Sequence, residues 1–275
     1  MLLQRVLTAL VLAPLMLAGI FWLPDLWFRG FIGVIVMLGA WEWAHLSGFS
    51  AMRSRVLLAF GLGVVLLGLH LALSATHQSW AYIVLATLIW WAFAFVAVIR
   101  YPKHKGWLNS KVAKLLAGVP VLAGLWMGLV WLKLQDNSVL LLTWFMLLVW
   151  GADIGAYFSG RFFGNRKLAP NVSPGKTWAG VYGGMVTSVI ISVVIAIRFL
   201  APLSAINWLL LIALSIAVIA ISVLGDLLES LLKRNSGIKD SSALLPGHGG
   251  ILDRIDSMCA AAPMFVLLWL VVAGV

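Results

Sequence analysis

The stretch from Val56 to Ile99 contains no Asp, Glu, Lys or Arg. A soluble fold has no place for such a run, because too little charge remains to cover its outer face. Crossing a bilayer takes a helix of about 20 apolar residues. The stretch therefore reads as two spans, with Ser74, His77, Gln78 and Ser79 marking a tight turn between them. Comparable blocks fall at about 6–24, 26–46, 112–132, 138–158, 178–198, 205–225 and 257–275. The expected fold is an all-α polytopic integral membrane protein with nine transmembrane helices, and residues 1–275 form one membrane domain. With 63% apolar and 10% charged residues, the chain is excluded from the disordered, fibrous and ordinary soluble classes. A single cysteine, Cys259, excludes an internal disulfide framework.

Nine spans put the two termini on opposite sides, and the basic residues choose which. Sixteen of the 19 lie on the side of the N-terminus, including Arg5, Arg53, Arg55, Lys105, Arg161, Lys167, Lys176 and Lys239. Only Arg29, Lys133 and Arg198 lie on the other. The positive-inside rule makes the first side cytoplasmic. The net charge of +10 is thus an orientation signal that also attracts anionic headgroups, not a nucleic-acid footprint. The block after Arg5 resembles a signal peptide, but its apolar run is too long and no small-residue cleavage site precedes Pro24. It reads as the first helix. Trp22, Trp27, Trp80, Trp107 and Trp208 fall near span ends, as an aromatic belt requires.

The nine acidic residues are distributed unevenly. Asp25 and Asp136 lie on the far side; Glu42, Asp153, Asp226, Glu229, Asp240, Asp253 and Asp256 lie at cytoplasmic helix ends or in the last cytoplasmic loop. A carboxylate at membrane depth is costly, so it needs a partner or a cation. Asp226, Glu229, Ser230 and Lys233 share one face of a helix leaving the membrane. A solvated face with a Glu229–Lys233 pair is the plain alternative, but Asp226 sits directly below the apolar end of its span. Downstream, Pro246, Gly247, His248, Gly249 and Gly250 form a turn that opens a helix carrying Asp253 and Asp256 on one face. Two helix ends with paired carboxylates suit magnesium, which takes one or two carboxylates plus water and phosphate oxygens. A structural polar knot is the competing reading.

The run Ser230, Leu232, Lys233, Arg234, Lys239, Asp240, Ser242, Leu245, Pro246, His248, Gly249, Gly250, Ile251, Asp253, Arg254, Ile255, Asp256 resembles the signature of the phosphatidate cytidylyltransferases, or CDP-diacylglycerol synthases. The resemblance extends to Asp153, Ala156, Tyr157, Gly160, Arg161 and Gly164, and to Ser173, Pro174, Lys176, Thr177 and Gly180. It covers residues 136–275, whereas 1–135 is a helical scaffold half without recognisable motifs. It implies a membrane nucleotidyltransferase that makes CDP-diacylglycerol and pyrophosphate from CTP and phosphatidic acid, using magnesium. A second cation is left open, and so is a homo-oligomer. The implied location is the bacterial inner membrane, with the site facing the cytoplasm.

On that reading Asp226, Asp253 and Asp256 hold magnesium, and Lys233, Arg234, Lys239 and Arg254 neutralise phosphates, with Lys176 a further candidate. Ser173, Ser230 and Thr177 meet phosphate oxygens, and His248 is a turn or phosphate-binding residue rather than a base. Asp153, Tyr157 and Asp240 stand behind that set; whether Asp153 and Tyr157 are structural or orient Arg161 stays open. Gly175, Lys176 and Thr177 do not make a P-loop, because Pro170 stands where that motif needs glycine. They can also be read as a capped helix start. Gly151/Gly155, Gly160/Gly164 and Gly180/Gly184 are helix-packing spacings. Glu42 reads as a buried structural acid, and His70 and His77 as packing or interface residues. Two other functions compete: a CTP-dependent lipid kinase of the polyprenol type, and an ion-coupled transporter, which predicts inverted repeats and midplane acids.

Overall fold

The computed structural model describes residues 2–73, 77–200 and 202–273. The chain runs through α1 (Leu2–Trp22), α2 (Asp25–Leu46), α3 (Met52–Leu73), α4 (His77–Arg100), α5 (Lys111–Lys133) and α6 (Ser138–Phe163). A hairpin of β1 (Lys167–Ala169) and β2 (Ser173–Thr177) follows, then α7 (Trp178–Ile195), α8 (Ala205–Ser236) and α9 (Leu252–Ala273). The expected turn at Ser74 and the side chains of Arg5, His77 and Trp80 lie outside the described residues.

Among the described residues, seven helices are long and apolar enough to cross a membrane: α2, α3, α5, α6, α7 with the π turn that extends it to Leu200, α8 and α9. Shorter apolar segments are Leu10–Trp22 in α1 and Val84–Arg100 in α4. The chain is a helical polytopic membrane protein. The short antiparallel hairpin, which pairs Lys167 with Thr177 and Ala169 with Ser173, departs from the all-α expectation.

Helix ends follow local chemistry. Ser110, Thr177 and Ser204 cap α5, α7 and α8 by accepting from the N–H groups of Ala113, Gly180 and Asn207. Gly237, at φ +72°, ends α8 in the left-handed conformation that glycine adopts without strain. The 32 residues of α8 span about 48 Å at ~1.5 Å per residue, against a hydrocarbon core of about 30 Å. The last turns of α8 therefore have to emerge from the core, and they carry Asp226 to Ser236.

Among the described residues, α6 packs most extensively on α7, and α8 on α9, while α5 is the most enclosed span and touches α2, α4, α6 and α9. Small residues make the approaches close. A Cβ at Gly155 or Gly183 would run into the opposite helix of the α6–α7 pair, and one at Gly180 would press on the Ala156 carbonyl. At Gly225 it would collide with the Asp256 carbonyl, so this glycine sets the distance between α8 and α9 beside the acidic residues.

Candidate active site

The α8–α9 end gathers most of the acids singled out in the sequence. Asp226 Oδ2 lies 2.6 Å from Lys176 Nζ, and Asp226 Oδ1 accepts from Ser230 Oγ at 3.2 Å. This pair joins α8 to the end of the hairpin, and spacing along the chain gives no hint of it. Lys233 Nζ is held between Glu229 Oε2 at 3.3 Å and Asp253 Oδ1 at 2.6 Å. Glu229 is 2% exposed, so the Glu229–Lys233 pair is buried rather than part of a solvated face. The Glu229 and Asp256 carboxyls are neighbours, and Asp256 Oδ1 accepts from the Ser257 N–H at 2.7 Å. The charge of Asp153 reaches Lys176, Asp226 and Arg254, which makes it a member of the same cluster.

Asp253, expected among the metal ligands, is already surrounded by hydrogen-bond donors. Besides Lys233, it accepts at Oδ2 from the N–H groups of Ser241 (3.0 Å) and Gly250 (2.7 Å) and from Ser241 Oγ (2.9 Å). A carboxylate offers about four lone-pair sites, and four donors already occupy Asp253. Its bond to the Gly250 N–H, three residues back, is the reaching-back half of a capping box at the start of α9.

Other expected residues divide between those drawn into the site and those left outside it. Lys176 and Thr177 line a cavity of about 490 Å³ with Tyr157, Arg161 and Gly160. Tyr157 Oη accepts from Arg161 Nη1 at 2.8 Å, which resolves its partner in favour of Arg161. Ser173 sits in β2 opposite Ala169, outside that lining. Arg234 Nε donates to the Val172 carbonyl at 3.3 Å and so braces the hairpin. Lys239, Asp240 and Arg254 are exposed, and none forms an ion pair among the described residues. His248 turns the loop through its N–H to the Leu245 carbonyl, and its Nδ1 is buried without a partner among the described residues.

A second cavity, about 670 Å³, adjoins the first across Val181 and Val223, which line both. Its walls are almost wholly apolar, from Phe95 and Ile99 of α4, Trp178 and Met185 of α7, and Ala217 and Ala220 of α8. Glu42, expected as a buried structural acid, is buried and meets Ser242 of the signature run and Ser241, which the sequence did not single out. Glu42 lies on α2, yet it accepts from both serine hydroxyls and from the N–H groups of Ile251 and Leu252. Its only signal was a lone acid at the cytoplasmic end of an apolar helix.

The donors present suit a hard divalent cation. Glu229 Oε1 is buried without a hydrogen-bond partner among the described residues, beside Asp256 and one helical turn from Asp226, while Oε2 faces Lys233. Among those residues no three His, Cys, Asp or Glu side chains gather closely enough to form a complete protein cage. Magnesium does not need one, since it keeps waters and substrate phosphate oxygens in its shell.

Residues 3–272 match the model of the cytidylyltransferase family. A relative from Pseudomonas aeruginosa named phosphatidate cytidylyltransferase is 48% identical over 98% of this chain and 97% of its own length. One of the same name from Haemophilus influenzae is 41% identical over 96% of this chain and 97% of its own. A third, from Brucella suis, is 48% identical over 44% of the chain and 43% of its own length.

Proposed function

The chain belongs to the cytidylyltransferase family, and from that premise we propose that it makes CDP-diacylglycerol and pyrophosphate from CTP and phosphatidic acid. The observation that supports this reading is the meeting of a cavity of about 490 Å³ that carries Arg161 and Lys176 with an apolar chamber across Val181 and Val223. A substrate pair of one polyanion and one two-tailed lipid needs both. CTP reaches the Arg161–Lys176–Thr177 cavity from the cytoplasm, and the diacyl tails enter the apolar chamber from the bilayer.

The reaction is a nucleotidyl transfer. A phosphate oxygen of phosphatidic acid attacks the α-phosphorus of CTP and forms the new P–O bond. The bond from the α-phosphorus to the oxygen bridging to the β-phosphate breaks, and that oxygen leaves with pyrophosphate. The nucleophile is already an anion, so no general base is required. Positioning and charge neutralisation carry the rate. Lys176 and Arg161 line the cavity and would meet phosphates there, Lys233 stands between Glu229 and Asp253 as a further phosphate contact, and exposed Arg254 and Lys239 add to the approach field. Asp226 and Asp256 would hold magnesium, which would neutralise charge on the triphosphate. Asp253 holds Lys233 in place instead of binding the metal directly.

We further infer nine spans, with the N-terminus and the α8–α9 end at the cytoplasmic face of a bacterial inner membrane. The sixteen-to-three division of basic residues supports this orientation. The transporter reading loses support because the acids crowd one end of the bundle. The lipid-kinase reading is separated by its products. Purified protein in detergent, given labelled CTP and phosphatidic acid, should release pyrophosphate and form CDP-lipid only with magnesium present. Phospho-lipid with CDP as co-product would overturn the proposal.

A further inference from the structure

Glu42 comes from the half of the chain that carries no recognisable motif, yet its side chain is 0% exposed. A carboxylate removed from water is stable only where donors replace its hydration. Here four do. Oε1 accepts from Ser242 Oγ and from the Ile251 N–H at 3.0 Å; Oε2 accepts from Ser241 Oγ at 3.2 Å and from the Leu252 N–H at 2.6 Å. None of the four donors is cationic, and Glu42 forms no ion pair among the described residues. Backbone N–H groups at the start of α9, which have no intrahelical acceptor, and two hydroxyls hold the charge.

The loop is built around this contact. A Cβ at Gly250 would run into both Ser241 Oγ and Glu42 Oε1, so only glycine lets the chain close over the carboxylate. Ser241 Oγ also lies 2.9 Å from Asp253 Oδ2, and Asp253 Oδ1 lies 2.6 Å from Lys233 Nζ. Glu42 is therefore three contacts from a lysine at the reacting end. All its partners lie within 241–252, while α2 packs on α9 separately, through Gly39 against Leu252 and Ile255. Removing the charge frees the loop but leaves that helix contact intact.

We propose that Glu42 is a positioning residue for nucleotidyl transfer: it anchors the 241–252 loop and, through Ser241 and Asp253, sets where Lys233 stands. This rests on the reading that the α8–α9 end is the reacting site. Glu42→Gln keeps the shape but turns an amino group toward two of the four donors. At matched folded protein, kcat for CDP-diacylglycerol should fall about tenfold or more, as loss of an interaction used in the transition state does. Combined with Asp253→Asn, the two losses should fall short of multiplying, because both act through one network. Loop release is read without substrate: deuterium labelling of the Ile251 and Leu252 N–H groups, which Glu42 accepts in the parent protein, should be several-fold faster in Glu42→Gln. If Glu42→Gln fails to insert, Ser242→Ala removes a single donor and should still speed that labelling. Unchanged labelling in the variant that folds, multiplicative losses, or a kcat within about twofold of the parent would overturn the proposal. A parent protein that makes no CDP-lipid would instead overturn the reaction assignment, since labelling does not depend on turnover.

Discussion

At the residue scale, the carboxylates differ by what already occupies them. Asp253 has a donor on every side, whereas buried Glu229 meets only Lys233 among the donors of the described residues and Asp256 lies against it. Their replacements should behave differently. Asp226→Asn and Asp256→Asn should lose rate by about a hundredfold, the scale of a single electrostatic group at a reacting centre. They should also require more magnesium to reach half-maximal rate. Asp253→Asn should lose rate comparably with little change in the magnesium midpoint, because what it releases is Lys233. Rates measured against magnesium concentration at matched folded protein check this; a raised midpoint for Asp253→Asn would return it to the metal. The run from Asp226 to Asp256 made the acids legible in the sequence as a group. Their division of labour was not, because it depends on which backbone N–H groups the loop turns toward each one.

At the element scale, α8 does two jobs along one length. Its Ala217–Leu227 segment walls the apolar chamber, and its next turns carry Glu229 and Lys233. The small side chains of Ala217 and Ala220 make the room. Ala220→Phe should therefore shorten the preferred acyl chain. A methylene in an apolar pocket is worth about 1–3 kcal/mol in discrimination, so kcat/KM for long-chain relative to short-chain phosphatidic acid should drop about tenfold. Equal use of both chain lengths by the variant would remove the tails from this chamber. The helices themselves were readable, since charge-free runs of span length leave the backbone no other way to satisfy its hydrogen bonds. The hairpin was not. Lys167–Thr177 is short, has Pro170, Pro174 and Gly175 within it, and carries no alternating pattern. Contacts from α8 give it form, Arg234 to the Val172 carbonyl and Asp226 to Lys176.

At the scale of the whole molecule, orientation follows from where the cations fall. With nine spans, a reporter fused after Val275 should lie away from the cytoplasm. Cysteines replacing Lys105, Lys167 and Lys239 should be labelled only from the cytoplasmic side. A cytoplasmic C-terminus would refute the span count. Glu42 shows what no local pattern can disclose, since its bond to the Leu252 N–H joins residues 210 positions apart. That separation also sets an order of assembly. At ~5–20 residues per second, ribosomal synthesis takes roughly 10–40 s to pass from α2 to α9. Throughout that interval an early helix stands in the bilayer interface with an acid whose partners have not yet been made. A chain stopped before residue 241 would lack all four groups that hold this acid in the finished molecule.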